Sequence, residues 1–225
     1  MSTSKLRRHA YHHGDLEAAL ILAAGKILEK EGVEALSVRE AARRAGVSHN
    51  APYRHFPERE ALLAALAADG FAMLSEAQRV AAEAGGLRAM GEAYVLFALK
   101  HPQRFRLMFG GQVSIARHPR LREVATKTFE GLSGALSAKV PEAQGAGDSS
   151  IAAWALVHGL AQLLLEDRIA ATARRGRSEA AFVRDVLAAI RFAAGTANQG
   201  AVGTANPGAV GTANQAAVAP DQSSA

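Results

Sequence analysis

Between Leu36 and Phe56 the chain reads L-S-V-R-E-A-A-R-R-A-G-V-S-H-N-A-P-Y-R-H-F, and this stretch leaves it few ways to fold. Ser37 and Glu40 have the spacing of a capping box, in which the serine oxygen takes the backbone N–H of Glu40 and the carboxylate reaches back to the amide of Ser37. A short helix therefore begins there and runs through Ala41 and Ala42 to Ala45. Gly46 permits a left-handed turn, and Ser48 can cap a further helix. Pro52 falls in the first turn of that helix, where a missing N–H costs least, and Pro57 closes it after Phe56. Val38, Ala42 and Val47 are spaced to be buried between the pair. Two short helices joined by one tight turn are helix-turn-helix grammar.

The remaining sequence is written in helical periods. Alanine, leucine and charged residues dominate and runs of β-branched residues are almost absent, so the expected class is all-α. Leu16, Leu20, Ala23 and Ile27 mark a first helix after Gly14-Asp15, and Gly32 stops it. A fourth helix fits Glu58 to about Ala82, and Gly85-Gly86 is the first break after it. Leu87, Met90, Tyr94 and Phe97 form the next apolar stripe, His101-Pro102 restarts the chain, and Pro119 opens a helix carrying Leu121, Val124, Thr128, Phe129, Leu132 and Leu136. Beyond a Gly-rich loop at 140–148 come a strongly apolar helix from Ile151 to Ala173 and a last helix from Ser178 to about Phe192. The expected divisions are a basic arm (1–13), a helix-turn-helix domain of three helices with its connecting fourth (14–84), a helical bundle for ligand binding and dimerisation (85–194), and a tail (195–225). The tail repeats GTANQGAV, GTANPGAV and GTANQAAV, a Gly/Ala/Asn period too short and too polar to build a core, and reads as disordered.

Charge and composition narrow the function. The net charge is +5, and the basic residues cluster: Lys5, Arg7, Arg8, His9, His12 and His13 precede the first acid, Asp15, while Arg39, Arg43, Arg44, Arg54 and Arg59 crowd the helix-turn-helix. A polyanionic partner fits this pattern. The chain has no cysteine, which removes disulfides, thiolate metal sites and cysteine nucleophiles together. Among its eight histidines, His9 and His13 are spaced H-x-x-x-H but hold no carboxylate between them, so neither a metal nor a cofactor is expected. No export segment is evident and no stretch is read as long enough to cross a bilayer, which makes the expected location cytoplasmic and leaves the membrane out as a partner.

In a helix-turn-helix the second helix lies in the major groove with its N-terminal residues at base edges. His49, Asn50, Ala51 and Arg54 are therefore the candidate readers. Asparagine can pair bidentately with adenine, arginine with guanine, and an alanine methyl can touch a thymine methyl. Tyr53 and His55 suit phosphates, and Ser37, Arg39, Arg44 and Ser48 complete the DNA-facing set.

The order Gly46-Val-Ser48, Tyr53-Arg-His-Phe56 and Arg59-Glu-Ala-Leu-Leu63 resembles the tetracycline-repressor (TetR) family. That resemblance implies a three-helix DNA-binding domain on a helical, dimerising ligand domain, and a partner that is double-stranded operator DNA. It also implies phosphate contacts at Tyr53 and His55 and from Arg59, where the family has a lysine. Asn50 stands where the family often has glycine and Pro52 where leucine is common, so base preference does not carry over. Tyr11-His-His-Gly-Asp-Leu16 and Trp154-Ala-Leu-Val-His158-Gly159 resemble the subgroup whose C-terminal domain is named for its Trp, His and Gly.

Trp154 and His158 share a helix face and can line a ligand pocket with Tyr94, Phe97, Met108 and Phe109. The bland alternative is a core tryptophan beside a satisfied histidine. The expected activity is that of a non-enzymatic homodimeric regulator, a repressor released from a palindromic operator by a small-molecule effector. Two rivals stay open: a ligand-independent or architectural DNA-binding protein, and an enzyme with His158 as base and Glu166 or Asp167 as its partner.

Overall fold

The computed structural model describes residues 13–48, 50–137 and 146–189, and among these every regular element is a helix. The basic arm before His13, His49, the Gly-rich loop at 138–145 and the repeat tail lie outside the described residues, as does the end expected for the last helix. Helix α1 (His13–Glu31) buries Leu20, Ala24, Ile27 and Leu28 along one face and stops at Gly32, whose φ is 80°. A 3₁₀ turn (Val33–Ala35) leads to α2 (Val38–Ala45). The Ser37 hydroxyl accepts from the backbone N–H of Glu40 at 3.1 Å, as expected of the cap. The reciprocal half of the box is replaced: the Glu40 carboxylate turns to Arg43, at 2.6 and 2.8 Å, and to Arg44, at 2.9 Å. Two guanidinium groups on the same face outcompete one backbone amide for a carboxylate.

Gly46 closes α2 in the left-handed region (φ 69°, ψ 27°), as the turn requires. The helix expected from Ser48 to Phe56 is shorter and tighter than its pattern suggests, a 3₁₀ segment over Ala51–Arg54 entered through Asn50. Pro52 and Pro57 lack donors, and Pro57 disfavours the α conformation at Phe56, so little room is left for α-type bonds. The amides of His55 and Phe56 both converge on the Pro52 carbonyl at 2.9 Å.

Helix α3 (Arg59–Lys100) spans 42 residues and takes up both the expected fourth helix and the Leu87–Phe97 stripe. Gly86 (φ 67°, ψ −155°) kinks it. A residue in that conformation is not helical, so two helical segments meet at Gly86 with no loop between them, where the sequence placed its break. Helix α4 (Pro102–Phe109) follows directly, with Pro102 in its first turn. After a 3₁₀ turn (Ile115–Arg117) come α5 (Pro119–Ser137), α6 (Ala146–Leu165), the single turn α7 (Ala171–Arg174) and α8 (Glu179–Ala189). The apolar helix expected to reach Ala173 ends instead at Leu165, where Asp167 adopts a positive φ of 50°.

Helix α3 is the axis of the fold and packs against α1, α4, α5, α6 and α8. One apolar cluster includes Leu20, Ile27 and Leu36 together with Leu66, Val95, Phe105 and Val183, residues from both sides of the kink. The expectation that no stretch could cross a bilayer is overturned by α6: Asp148–Leu165 is long and apolar enough by length and composition. Only 28 % of that window is buried, and Ile151 (55 % exposed) and Leu163 (47 %) stand on its uncovered side.

Candidate nucleic-acid interface and effector cavity

The N-terminal elements place a row of polar side chains in solvent around the Gly46 turn. Arg39, Ser48, Asn50, Tyr53 and Arg54 are exposed, Ser37 and Ala51 are half-buried, and Pro52 and Phe56 anchor the segment in the core. His49 lies outside the described residues. The basic residues differ in how they are held. Arg44 is engaged by Glu31 at 2.7 Å as well as by Glu40, and Arg43 by Glu40 alone. Those contacts, the hydrogen bond from Arg43 above all, hold the Glu40 carboxyl down at about 2. His55 faces Glu17, with Nδ1 3.6 Å from the carboxylate. Arg59, at the mouth of α3, donates to the carbonyls of Leu36 (2.8 Å) and Val33 (2.6 Å), which ties the start of α3 to the turn before α2.

The C-terminal half contains a cavity of about 400 Å³ between α3, α4, α5 and α6. Three of the expected pocket residues line it: Tyr94, Phe109 and Trp154. The other three do not. Phe97 packs on His101 with ring centroids 5.1 Å apart, Met108 is buried against Gly70, and His158 stands behind Tyr94. Sequence reasoning missed Phe71, Leu74 and Gln78 of α3 and Thr128, Phe129 and Leu132 of α5 as lining residues. Their i, i+3, i+4 and i+7 spacings were visible, but read equally well as core.

The floor of the cavity is an aromatic relay. Tyr94 Oη lies 2.8 Å from His158 Nδ1 and accepts from Trp154 Nε1 at 3.2 Å. Phe109 packs edge-on against Phe71 at 5.2 Å and against His158 at 4.9 Å. Burial pushes the Tyr94 hydroxyl up and the His158 ring down, so the bond between them joins a neutral hydroxyl and a neutral imidazole. Neither acid considered as a catalytic partner reaches His158: Glu166 pairs with Arg168 at 3.7 Å and Asp167 with Arg174 at 3.4 Å. Among the described residues, no three of His, Asp and Glu gather as metal ligands.

Helix α4 belongs to both halves. Its inner face presents Phe105 and Phe109 to the aromatic relay. Its first turn presents Arg104, 7 % exposed, whose Nη1 donates to Asp69 of α3 at 2.6 Å while Nε lies 3.7 Å from Glu29 of α1. His101 Nδ1 lies 3.7 Å from the same Glu29 oxygen, and the charged residues of this clamp border a larger cleft of about 850 Å³.

The profile described as "Bacterial regulatory proteins, tetR family" matches residues 20–66, and that described as "Tetracyclin repressor-like, C-terminal domain" matches residues 87–190. Among solved structures, a protein of unknown function from a Rhodococcus species is 32 % identical, with a TM-score of 0.66 over 81 % of this chain and 96 % of that one. The TetR family transcriptional regulator PfmR from Thermus thermophilus is 21 % identical (TM-score 0.52, 76 % and 93 % covered). The multidrug binding protein EbrR, solved with imidazole, is 22 % identical (TM-score 0.51, 77 % and 93 % covered). No curated protein matches the chain. With both halves matched in order and the helix-turn-helix in place, the chain belongs to the tetR family of bacterial regulatory proteins and is a DNA-binding transcriptional regulator.

Proposed function

We propose that the chain is a homodimeric repressor that grips a palindromic operator and lets it go when a small molecule enters the cavity. Asn50, Ala51 and Arg54, with His49, read base edges in the major groove, and Ser37, Arg39, Arg44, Ser48, Tyr53, His55 and Arg59 hold phosphates. Two copies pair through α6 and α8, which covers the exposed Ile151 and Leu163 of α6 and sets two reading segments near one DNA turn apart, roughly 34–36 Å. An exposed apolar face on a helix of a DNA-binding protein is more economically covered by a second copy than by lipid. The divisions at 13/14, 84/85 and 194/195 belong to this reading, with the Gly86 kink next to the middle one.

One arrangement carries the effector part of the reading: α4 walls the cavity with Phe109 and clamps α1 through Arg104. A ligand that moves α4 therefore moves the element that supports the reading segment, and it biases the dimer only through its different affinity for the two positions. A closed, filled core would favour a ligand-independent regulator; the cavity favours a sensor.

The test is selection of bound fragments from a random duplex pool near physiological salt, where nonspecific phosphate attraction is weakened. Recovery of a two-fold symmetric consensus is expected. Recovery of none overturns the operator reading and leaves an architectural role.

A further inference from the structure

The wall of the 400 Å³ cavity has no charged side chain, and of its five polar side chains Tyr94, Thr128 and Trp154 are engaged within the protein, which leaves Gln78 and the exposed Thr126 at the rim. Thr128 Oγ1 donates to the Val124 carbonyl at 2.8 Å, and Trp154 Nε1 is taken by Tyr94, whose own hydroxyl is engaged by His158. Gln78 differs. Its side chain is 4 % exposed, lines the cavity, and has no hydrogen-bond partner among the described residues. The carboxamide atoms are not sealed from solvent, so a ligand group that can both accept from and donate to them takes the place of solvent in the cavity. A carboxylate or ammonium brought into the same space would lose its hydration and meet no counter-charge.

We propose that Gln78 determines specificity for the effector, and that the effector is an uncharged molecule with a flat apolar body carrying a carboxamide-type group, such as an amide, lactam, imide or urea. The body lies among Phe71, Phe109, Phe129 and Trp154, and the polar group pairs with the Gln78 side chain. This assignment rests on the reading of the cavity as an effector site. A neighbouring cleft of about 430 Å³ also borders Gln78, but its rim carries Arg79 and Glu83 and it lacks Trp154. The two spaces differ in that Trp154, the single tryptophan of the chain, lines the first and not the second.

The full chain is titrated with para-butylbenzamide, butylbenzene, para-butylbenzoate and para-butylbenzylammonium while Trp154 emission is followed. The benzamide is expected to bind at least about tenfold more tightly than either charged analogue and more tightly than butylbenzene. Gln78→Leu is expected to abolish the advantage of the benzamide over butylbenzene while butylbenzene still binds, which also shows that the variant is folded. The proposal is overturned if a charged analogue matches the benzamide, if Gln78→Leu leaves the ratio unchanged, or if no probe alters Trp154. Release of a selected operator duplex is scored separately. A benzamide that binds without releasing DNA defeats the regulatory reading and leaves this one standing; release by a charged analogue alone does the reverse.

Discussion

At the scale of single residues, neighbours within the DNA-facing row have different work to do. Asn50 and Arg54 project into solvent from a segment pinned by Pro52 and Phe56, so their side chains are available to base edges while the backbone stays fixed. Asn50→Ala and Arg54→Ala should each change which duplexes are preferred, costing about 1–3 kcal/mol on the preferred site for each bidentate pair lost. Binding measured on the selected operator and on a scrambled duplex checks this, and equal losses on both would contradict base reading. Arg59 is tied to the carbonyls of Leu36 and Val33, so its loss is felt by the scaffold as well as by DNA. Arg59→Ala should weaken all duplexes alike and also lower the urea midpoint, a pairing of effects that a purely phosphate-binding side chain would not produce.

At the scale of elements, α4 is the joint between sensor and reader. Arg104→Met keeps much of the side-chain volume packed over Gly70 but removes the link to Asp69 and Glu29. Probe binding at Trp154 should persist in this variant while ligand no longer releases DNA; retained release would show that the signal travels elsewhere. The same region makes the protein sensitive to acid. Burial lowers the affinity of both His158 and His101 for a proton, so each ring protonates more readily in the unfolded chain, whose ordinary value is about 6.5. Their contribution to stability is complete above that pH and is lost as the pH falls below it. Urea midpoints should therefore drop between about pH 7.5 and pH 5.5, and the drop should be shallower in His158→Gln.

How much of this was legible beforehand depended on whether the cause was local. The Ser37 cap, the Gly46 turn, Gly32 and the Pro102 and Pro119 starts are settled within a turn of chain, and each stands where the pattern put it. The Gly85-Gly86 break was legible too, since Gly86 leaves the helical region and two helical segments meet there; what the sequence did not show is that no loop separates them. The shortened reading segment needed the two prolines to be weighed together rather than one at a time. Three of the twelve residues of the cavity wall could be named because Tyr94, Phe109 and Trp154 are conspicuous. Gln78 could not, since only the tertiary structure turns a glutamine on a helix toward a cavity without a partner in the protein.

At the scale of the whole molecule, pairing through α6 and α8 predicts that charge on the uncovered face separates the copies. Ile151→Glu combined with Leu163→Glu should halve the mass seen by sedimentation, keep the helical circular dichroism, and abolish tight operator binding; an unchanged mass would place the contact on another face. The eight-residue helix shared by cavity and clamp has one more consequence. Whatever factor an effector takes from the affinity for DNA, bound DNA must take from the affinity for the effector, since both pull on the same position of α4. The dose needed for release is then set partly by the operator itself: a chain seated on a strong site is a less sensitive detector than the same chain free in solution.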